Sequence, residues 1–259
     1  MLLLTGEAGV RALPLKEPPA GRIFTDTHYC RNTMNSKFGL ITGTDQSELK
    51  EVPDNPGFLA LPEAGTAFRE MQKAAEKDGI DLKIASSYRD FQRQLKIWNA
   101  KYDGERPVLD WRNRPVDISR LTGVELVCAI LFWSALPGTS RHHFGTDFDV
   151  YAPKLAPEGY QLRLETEEYG KGGVYHPLTE WLDANMEKFG FFRPFTDDAK
   201  VTVGTELWHI SYRKTASELA KIQQESKEDF RKFIGSQDIA GRAVITCMID
   251  DIFSEFLVA

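Results

Sequence analysis

Two short segments in the second half of the chain place the strongest constraint on its fold. The first, SRHHFGTDFDVY, covers residues 140–151, and the second, ELWHISY, covers residues 206–212. Each combines histidine and acidic side chains with the pattern of a β-strand. The two segments either build one metal site or are two ordinary polar strands.

The residue types in these segments are those of a hydrolytic zinc site. Such a site needs three protein ligands, an open position for water, and a separate carboxylate that takes the proton of the water. His142, Asp149 and His209 are suitable ligands, and Glu206 is the candidate base. Because residues three apart in a strand point to opposite faces, Glu206 must lie before the strand or at a bulge. Gly145 would allow the turn between His142 and Asp149.

Each of these residues also has an ordinary structural explanation. A single histidine is more often a hydrogen-bonded structural residue than a metal ligand, and Glu206 could be a surface charge. Asp147 and Asp149 could form a solvated strand face. The helical HExxH zinc motif is absent. His143 is expected not to be a ligand, because adjacent residues in an extended chain point apart.

Charge and cysteine content exclude some classes of protein. The formal net charge is -6 at pH 7, which argues against non-specific nucleic-acid binding. Cys30, Cys128 and Cys247 are far apart and form no CxxC pair, so neither a disulfide framework nor a cysteine zinc cluster is expected.

The N-terminus MLLLTGEAGV lacks the apolar run of a secretory signal, and no apolar stretch is long enough to span a bilayer. We expect a cytoplasmic protein without a membrane segment, or a periplasmic one if the start codon is misassigned.

The rest of the chain predicts mostly helix. Apolar residues recur at helical spacing over residues 64–77 and 91–102, with a short strand at 81–87 between them. Ser87 followed by Asp90 resembles a capping box for the second helix. Further elements are predicted as a loop at 103–121, a buried helix at 122–134, a helix from 178 to Gly190, a strand at 208–212, and helices at 215–234 and 239–257.

These elements predict one α+β domain over residues 1–259. A small, mostly antiparallel sheet would carry the metal residues, with helices on its flanks. Residues 1–62 are rich in proline and are expected to form extended segments and turns that wrap the core. Residues 215–257 are expected to form a helical extension.

Three motifs in order resemble a known family. Residues 140–149 follow SxHxxGxxxD, residues 206–209 follow ExWH, and residues 86–94, SSYRDFQRQ, are similar to SGYRxxxxQ. The set resembles the VanY-type D-alanyl-D-alanine carboxypeptidases, in the group of zinc peptidases that includes lysostaphin and hedgehog domains. The resemblance covers roughly residues 64–212.

The resemblance implies a role for each matching residue. One Zn²⁺ ion per chain would be held by His142, Asp149 and His209. Glu206 would activate the water and later protonate the leaving amine. Arg89 would stabilise negative charge, either on the tetrahedral intermediate or on the carboxylate of the substrate. Ser140 and Gln94 would orient the substrate, a muropeptide, and Trp208 would form a wall of the site.

One position departs from the family pattern. A small residue usually stands two places before the aspartate ligand, and here that residue is Asp147. By strand alternation it should lie on the same face as Asp149. It could support a ligand histidine or compete for the metal.

The implied activity is removal of the C-terminal D-alanine from a peptidoglycan-derived peptide. The bond would be D,D in a pentapeptide or L,D in a tetrapeptide. A metallo-endopeptidase that cuts cross-links and a non-catalytic zinc-containing binding module remain as alternatives. A serine peptidase is disfavoured, because Ser47 and Lys50 match SxxK but the partner motifs are missing.

Overall fold

The computed structural model describes residues 37–197 and 202–257, so most of the predicted N-terminal extended segment lies outside the described residues. The strands are β1 (Lys50–Val52), β2 (Asn55–Ala60), β3 (Lys83–Ser86), β4 (Asp147–Tyr151), β5 (Phe191–Phe192) and β6 (His209–Tyr212). The α-helices are α1 (Phe38–Thr42), α2 (Pro62–Lys77), α3 (Phe91–Tyr102), α4 (Gly123–Leu131), α5 (Thr166–Tyr169), α6 (His176–Asn185), α7 (Arg213–Glu225), α8 (Lys227–Ser236), α9 (Arg242–Cys247) and α10 (Ile249–Glu255).

The strands form two antiparallel sheets, and the larger one carries both histidine segments. Its strand order is β3-β4-β6-β5, and β1 and β2 form a separate hairpin. In the pairing of β4 with β6, Asp149 lies opposite His209 and Asp147 lies opposite Ser211. The prediction of an α+β fold with a small antiparallel sheet is therefore confirmed.

Alternation along β4 and β6 separates an apolar face from a polar face. Phe148, Val150 and Ile210 are fully buried in the apolar core beside α2. The ring of Phe68 on α2 stacks on Phe148 with 4.7 Å between ring centroids. The alternating residues Asp147 and Asp149 on β4, and His209 on β6, therefore point away from this core. They lie on the opposite face of the sheet, which carries the candidate site.

The predictions of α2 and α3 hold, but one predicted cap is wrong. α2 and α3 lie where apolar periodicity placed them. Asp90 is itself the N-cap of α3, and its carboxylate accepts a hydrogen bond from Arg93 N at 2.7 Å. Ser87 therefore takes no part in a capping box, since the helix begins only after Asp90. A true capping box joins Thr122 and Glu125 at the start of α4.

The described part of the predicted irregular N-terminal segment is more regular than expected. Residues 37–62 contain α1 and the β1–β2 hairpin. The hairpin turn contains Asp54 with φ of 60°, a conformation that aspartate tolerates better than most residues. Phe38, Leu40 and Ile41 of α1 are buried in the core, so this helix is stabilised by packing.

The C-terminal extension forms four shorter helices where two were predicted. The first break falls at Ser226, whose hydroxyl donates to Ile222 O at 2.7 Å and so competes with the helical pattern. The second falls at Met248, between α9 and α10. Apolar periodicity continues across both breaks, so it did not reveal them. Within the described residues, no helix is both long and apolar enough to cross a membrane.

Candidate metal centre and active site

His142, Asp149 and His209 come together at the polar face of the sheet. Their candidate ligand atoms all lie within 4.8 Å of one another, and all three residues are buried. His142 lies in the 3₁₀ turn Arg141–Phe144, which ends at Gly145 with φ of 69°. The positive φ favours glycine at this position, and a Cβ there would also lie 3.2 Å from Leu61 N and 2.5 Å from Leu49 Cδ2, so the Leu49 side chain would have to shift.

Each histidine uses one ring nitrogen for support and turns the other towards Asp149. His142 Nδ1 lies 2.8 Å from Ser87 O, and its Nε2 lies 3.2 Å from Asp149 Oδ2. His209 Nε2 lies 2.9 Å from Asp147 Oδ1, and its Nδ1 lies 3.1 Å from Asp149 Oδ1. A carbonyl or carboxylate behind each ring is the support that metal-binding histidines usually have. The donor set therefore fits a zinc ion.

Asp147 lies behind His209, as a support for that ring. Its carboxylate accepts hydrogen bonds from Arg141 Nε at 3.0 Å and Thr146 Oγ1 at 2.5 Å, as well as contacting His209. The Arg141 guanidinium also donates to Ser211 Oγ at 2.9 Å. Asp147 is absent from the cluster of ligand atoms. Of the two roles considered for it, this geometry favours support of a ligand over competition for the metal.

The electrostatics of the cluster favour a bound cation. Burial opposes ionisation of Asp149, but His142 and His209 hold its pKa well below the usual range. Burial also opposes the charged form of His209, but hydrogen bonds to Asp147, Asp149 and Glu206 raise its pKa well above the ordinary value. The surrounding carboxylates thus stabilise a positive charge at His209. A metal ion bound beside this ring would supply that positive charge in place of the proton.

Glu206 lies where the strand argument required it. It precedes β6 in a turn closed by a hydrogen bond from His209 N to Glu206 O at 3.2 Å. This turn brings its carboxylate to the same side as the ligands, with Oε2 3.4 Å from His209 Nδ1. Glu206 also lines the cavity that opens over the ligands. It is therefore close enough to act on a group at the metal without being one of the three ligands.

Arg89 faces the same cavity, and Gln94 lies behind it. Arg89 Nη1 donates to Gln94 Oε1 at 2.8 Å, and Gln94 Nε2 donates to Ala135 O at 2.7 Å. Gln94 is fully buried and is not among the residues that line the cavity. Arg89 Nε is buried without a hydrogen-bond partner among the described residues. The placement gives Gln94 a supporting position behind Arg89, and leaves Arg89 with a donor for an anionic group.

The segment that contains Arg89 is tied directly to the histidine segment. Arg89 N donates to His142 O at 3.1 Å, and His143 Nδ1 donates to Arg89 O at 2.6 Å. His143 Nε2 accepts from Gly138 N at 3.1 Å, and burial lowers the pKa of His143 to about 3. His143 is thus a neutral structural residue and faces away from the ligand cluster, as expected. A Cβ at Gly43 would lie 2.4 Å from its ring, a constraint the sequence did not reveal.

Ser140 and Trp208 both line the cavity. Ser140 is buried immediately before the turn that holds His142. Trp208 is almost fully buried, and its ring stacks near Trp133 with 6.5 Å between centroids and contacts Tyr169. Trp208 is therefore both an aromatic residue of the core and a wall of the cavity.

The cavity over the ligands has a volume of about 540 Å³. Its walls include residues of the predicted loop 103–121, at 107–113, and of a second segment, at 163–165. Sequence reasoning missed several polar lining residues, namely Lys101, Arg106, Asn113, Ser134, Arg163 and Glu165. The sequence did contain one indication of Lys101. It follows Gln94 by seven residues, about two helical turns, and so lies on the same side of α3 as Gln94.

Comparison with known proteins agrees with this geometry. A family model described as VanY, D-alanyl-D-alanine carboxypeptidase, matches residues 59–215. This range contains every candidate site residue discussed above. The match covers more than half of the chain and includes the whole four-stranded sheet.

Individual relatives were also found. An uncharacterized protein of Haemophilus influenzae is 40% identical over 124 residues, which are 48% of this chain and 93% of the relative. A D-alanyl-D-alanine carboxypeptidase of Enterococcus faecalis is 28% identical over 147 residues, 56% of this chain and 45% of that protein. A solved structure of VanYB in complex with D-Alanine-D-Alanine is 23% identical, with a TM-score of 0.48, and covers 70% of this chain and 85% of its own.

Proposed function

Because the chain belongs to the VanY family of D-alanyl-D-alanine carboxypeptidases, we propose that it is a zinc-dependent carboxypeptidase that removes the C-terminal D-alanine from peptidoglycan-derived peptides. The observation that carries this proposal is the convergence of three buried ligands, a nearby carboxylate and a buried arginine on one cavity. Each of these groups has a separate task in peptide hydrolysis.

His142, Asp149 and His209 would hold the zinc ion. Bound there, Zn²⁺ would polarise the scissile carbonyl and lower the pKa of the attacking water. The support behind each histidine fixes which ring nitrogen faces Asp149.

Glu206 accepts the proton of the attacking water and donates it to the leaving amine. Its carboxylate lies beside the ligand cluster and lines the cavity, which puts it within reach of both positions. Arg89 stabilises the negative charge that develops during the reaction. Its unpaired Nε is available for that charge, while Gln94 fixes the other end of the guanidinium.

The loop residues that line the cavity support an exopeptidase over an endopeptidase. A carboxypeptidase needs a pocket that ends just beyond the scissile bond, whereas an endopeptidase needs a cleft open on both sides. Residues 107–113 and 163–165 enclose part of the cavity. Glu168 holds the second of these segments, because its buried carboxylate accepts from Tyr160 Oη at 2.8 Å and Glu165 N at 3.0 Å.

The direct test is a digestion of muropeptides by the purified protein. We expect the loss of one alanine from pentapeptide, tetrapeptide or both, detected by mass spectrometry and abolished by a chelator. Loss from the pentapeptide identifies D,D activity, and loss from the tetrapeptide identifies L,D activity. Zinc-loaded protein that leaves both peptides intact would contradict the proposal, and cleavage of cross-linked dimers alone would favour an endopeptidase.

The variant Glu206→Gln tests the base. It keeps the size of the side chain but cannot take a proton, so turnover should fall by roughly 10²–10⁴-fold, the range of general acid–base catalysis. Zinc content, measured by elemental analysis, should stay equal to that of the wild type. Unchanged turnover would remove Glu206 from the mechanism.

A further inference from the structure

Lys101 places a positive charge in the cavity over the ligands. It lies in the last turn of α3, half-buried, and its Nζ donates to Ser134 Oγ at 2.6 Å. Among residues 37–197 and 202–257, no carboxylate lies within 4.0 Å of this ammonium group. Burial, together with the nearby charge of Arg106, lowers the pKa of Lys101 to about 8. Burying a charge in this way is costly unless a ligand completes the site.

Two other cations face the same space. Arg89 and Arg106 line the cavity with Lys101, and neither forms an ion pair with a carboxylate of the described residues. Asp149, Glu165 and Glu206 also line this cavity but form no ion pair with these three cations, which therefore repel one another. An anionic ligand would relieve the repulsion. The cluster therefore has the character of an anion site.

Lys101 and Arg89 line the same cavity as Glu206, the proposed proton donor to the leaving amine. The carboxylate of Glu206 attracts the positive charge of both side chains. Arg89 is held by Gln94 and Lys101 is held by Ser134, so the two cations reach the cavity from different points.

We propose that Lys101, with Ser134 and Arg106, binds the C-terminal carboxylate of the departing amino acid. The inference rests on the proposed carboxypeptidase function and assigns the specificity of the same site. In a leaving D-alanine, one carbon separates the amine from the carboxylate. If the amine of this D-alanine receives its proton from Glu206, its carboxylate must therefore lie near Glu206 as well.

Ser134 adds a neutral donor to this subsite. Its Oγ accepts a hydrogen bond from Lys101, which leaves its own O–H free to donate to a carboxylate oxygen. Ser134 follows α4, and its backbone N donates to Ile130 O at 2.9 Å. The subsite is therefore built from the ends of two helices. A substrate that continues beyond this residue would lack the carboxylate, so the subsite selects free C-termini.

The experiment compares two peptides and a small set of variants. One peptide ends in a free D-alanine carboxylate and the other in the corresponding amide. Lys101→Met should lower kcat/KM for the free acid by roughly 10–100-fold, the loss expected for a hydrogen bond to a charged group, mainly through a higher KM. The amide, which cannot use the positive charge, should be little affected.

Matched variants separate this role from a structural one. Lys101→Arg keeps the charge and should restore part of the preference for the acid. Ser134→Ala should reduce the same preference by a smaller factor. Lys96→Met removes an exposed lysine from the same helix, and should change neither substrate. Zinc content and Tm are measured for every variant.

The outcomes distinguish this inference from the proposed function. If the wild type hydrolyses neither peptide, the carboxypeptidase proposal fails and the inference fails with it. If the wild type prefers the acid and Lys101→Met keeps the same acid-to-amide ratio, the inference is wrong and the function stands. An equal loss on both peptides also overturns it, because it shows a general role in folding or catalysis.

Discussion

The two candidate metal-binding histidines are held by different kinds of group. His142 Nδ1 donates to the backbone carbonyl of Ser87, at 2.8 Å. His209 Nε2 donates to the carboxylate of Asp147, at 2.9 Å, and Asp147 is in turn paired with the buried Arg141. One ring is thus oriented by the path of the main chain and the other by a series of ionised side chains.

The difference between these two supports indicates which substitutions should affect the site. A backbone carbonyl stays in place as long as the segment keeps its conformation, whatever side chain it carries. A buried carboxylate depends on its own partner, because an unpaired charge in the protein interior is costly. A carboxylate behind an imidazole also makes the ring a stronger ligand. We therefore expect side-chain changes behind His209 to matter far more than those behind His142.

The largest effect is expected for Arg141→Met. Asp147 is fully buried, and the variant removes the guanidinium that pairs with it, leaving His209 as its remaining cationic partner among the described residues. Breaking a buried ion pair by deleting one partner costs roughly 3–5 kcal/mol. The free energy of unfolding, measured by urea titration in the presence of a chelator, should fall by that amount.

An exposed arginine provides the control for this measurement. Arg114 pairs with Asp110 at 2.7 Å, but its side chain is 62% exposed. Exposed pairs contribute about 0–1 kcal/mol, so Arg114→Met should change the free energy of unfolding only slightly. Equal losses for the two variants would mean that burial of the Arg141 pair has no special importance.

Asp147→Asn tests the carboxylate itself and should have the next largest effect. The amide has nearly the same shape, but it carries no charge to strengthen His209 as a ligand. Loss of such a support typically costs 10–100-fold in metal affinity, and we expect a loss of roughly that size here. Competition between the protein and a zinc-binding dye measures the affinity directly. An affinity equal to that of the wild type would show that Asp147 only fills space.

The sequence predicted the candidate metal ligands better than it predicted the groups that hold these ligands in position. His142, Asp149 and His209 were predicted as ligands from spacing and from the family resemblance, and the structure brings them together. Glu206 was expected before the strand, because alternation would otherwise point it away, and it lies there. The ligand prediction used the family resemblance as well as spacing, whereas the Glu206 prediction used strand alternation, which is local geometry that a sequence reveals well.

Contacts between distant segments were harder to predict. The bond from His142 to Ser87 O uses a main-chain atom, so no residue type indicates it. Lys101 and Ser134 meet only because α3 and α4 pack together, and their separation in the sequence carries no pattern. The break at Ser226 was missed because apolar periodicity continues through it. In each case tertiary packing decided the outcome.

The smallest effect is expected for Ser87→Ala, a change in the segment that supports His142. The variant leaves the carbonyl of residue 87 in place, so His142 keeps its support and zinc affinity should equal that of the wild type. The family pattern SGYRxxxxQ has glycine at this position, which fits a role for the backbone alone. The same dye competition serves as the measurement, with Asp147→Asn measured in parallel. If Ser87→Ala weakens zinc binding as much as Asp147→Asn does, the two histidines do not differ in the way their contacts indicate.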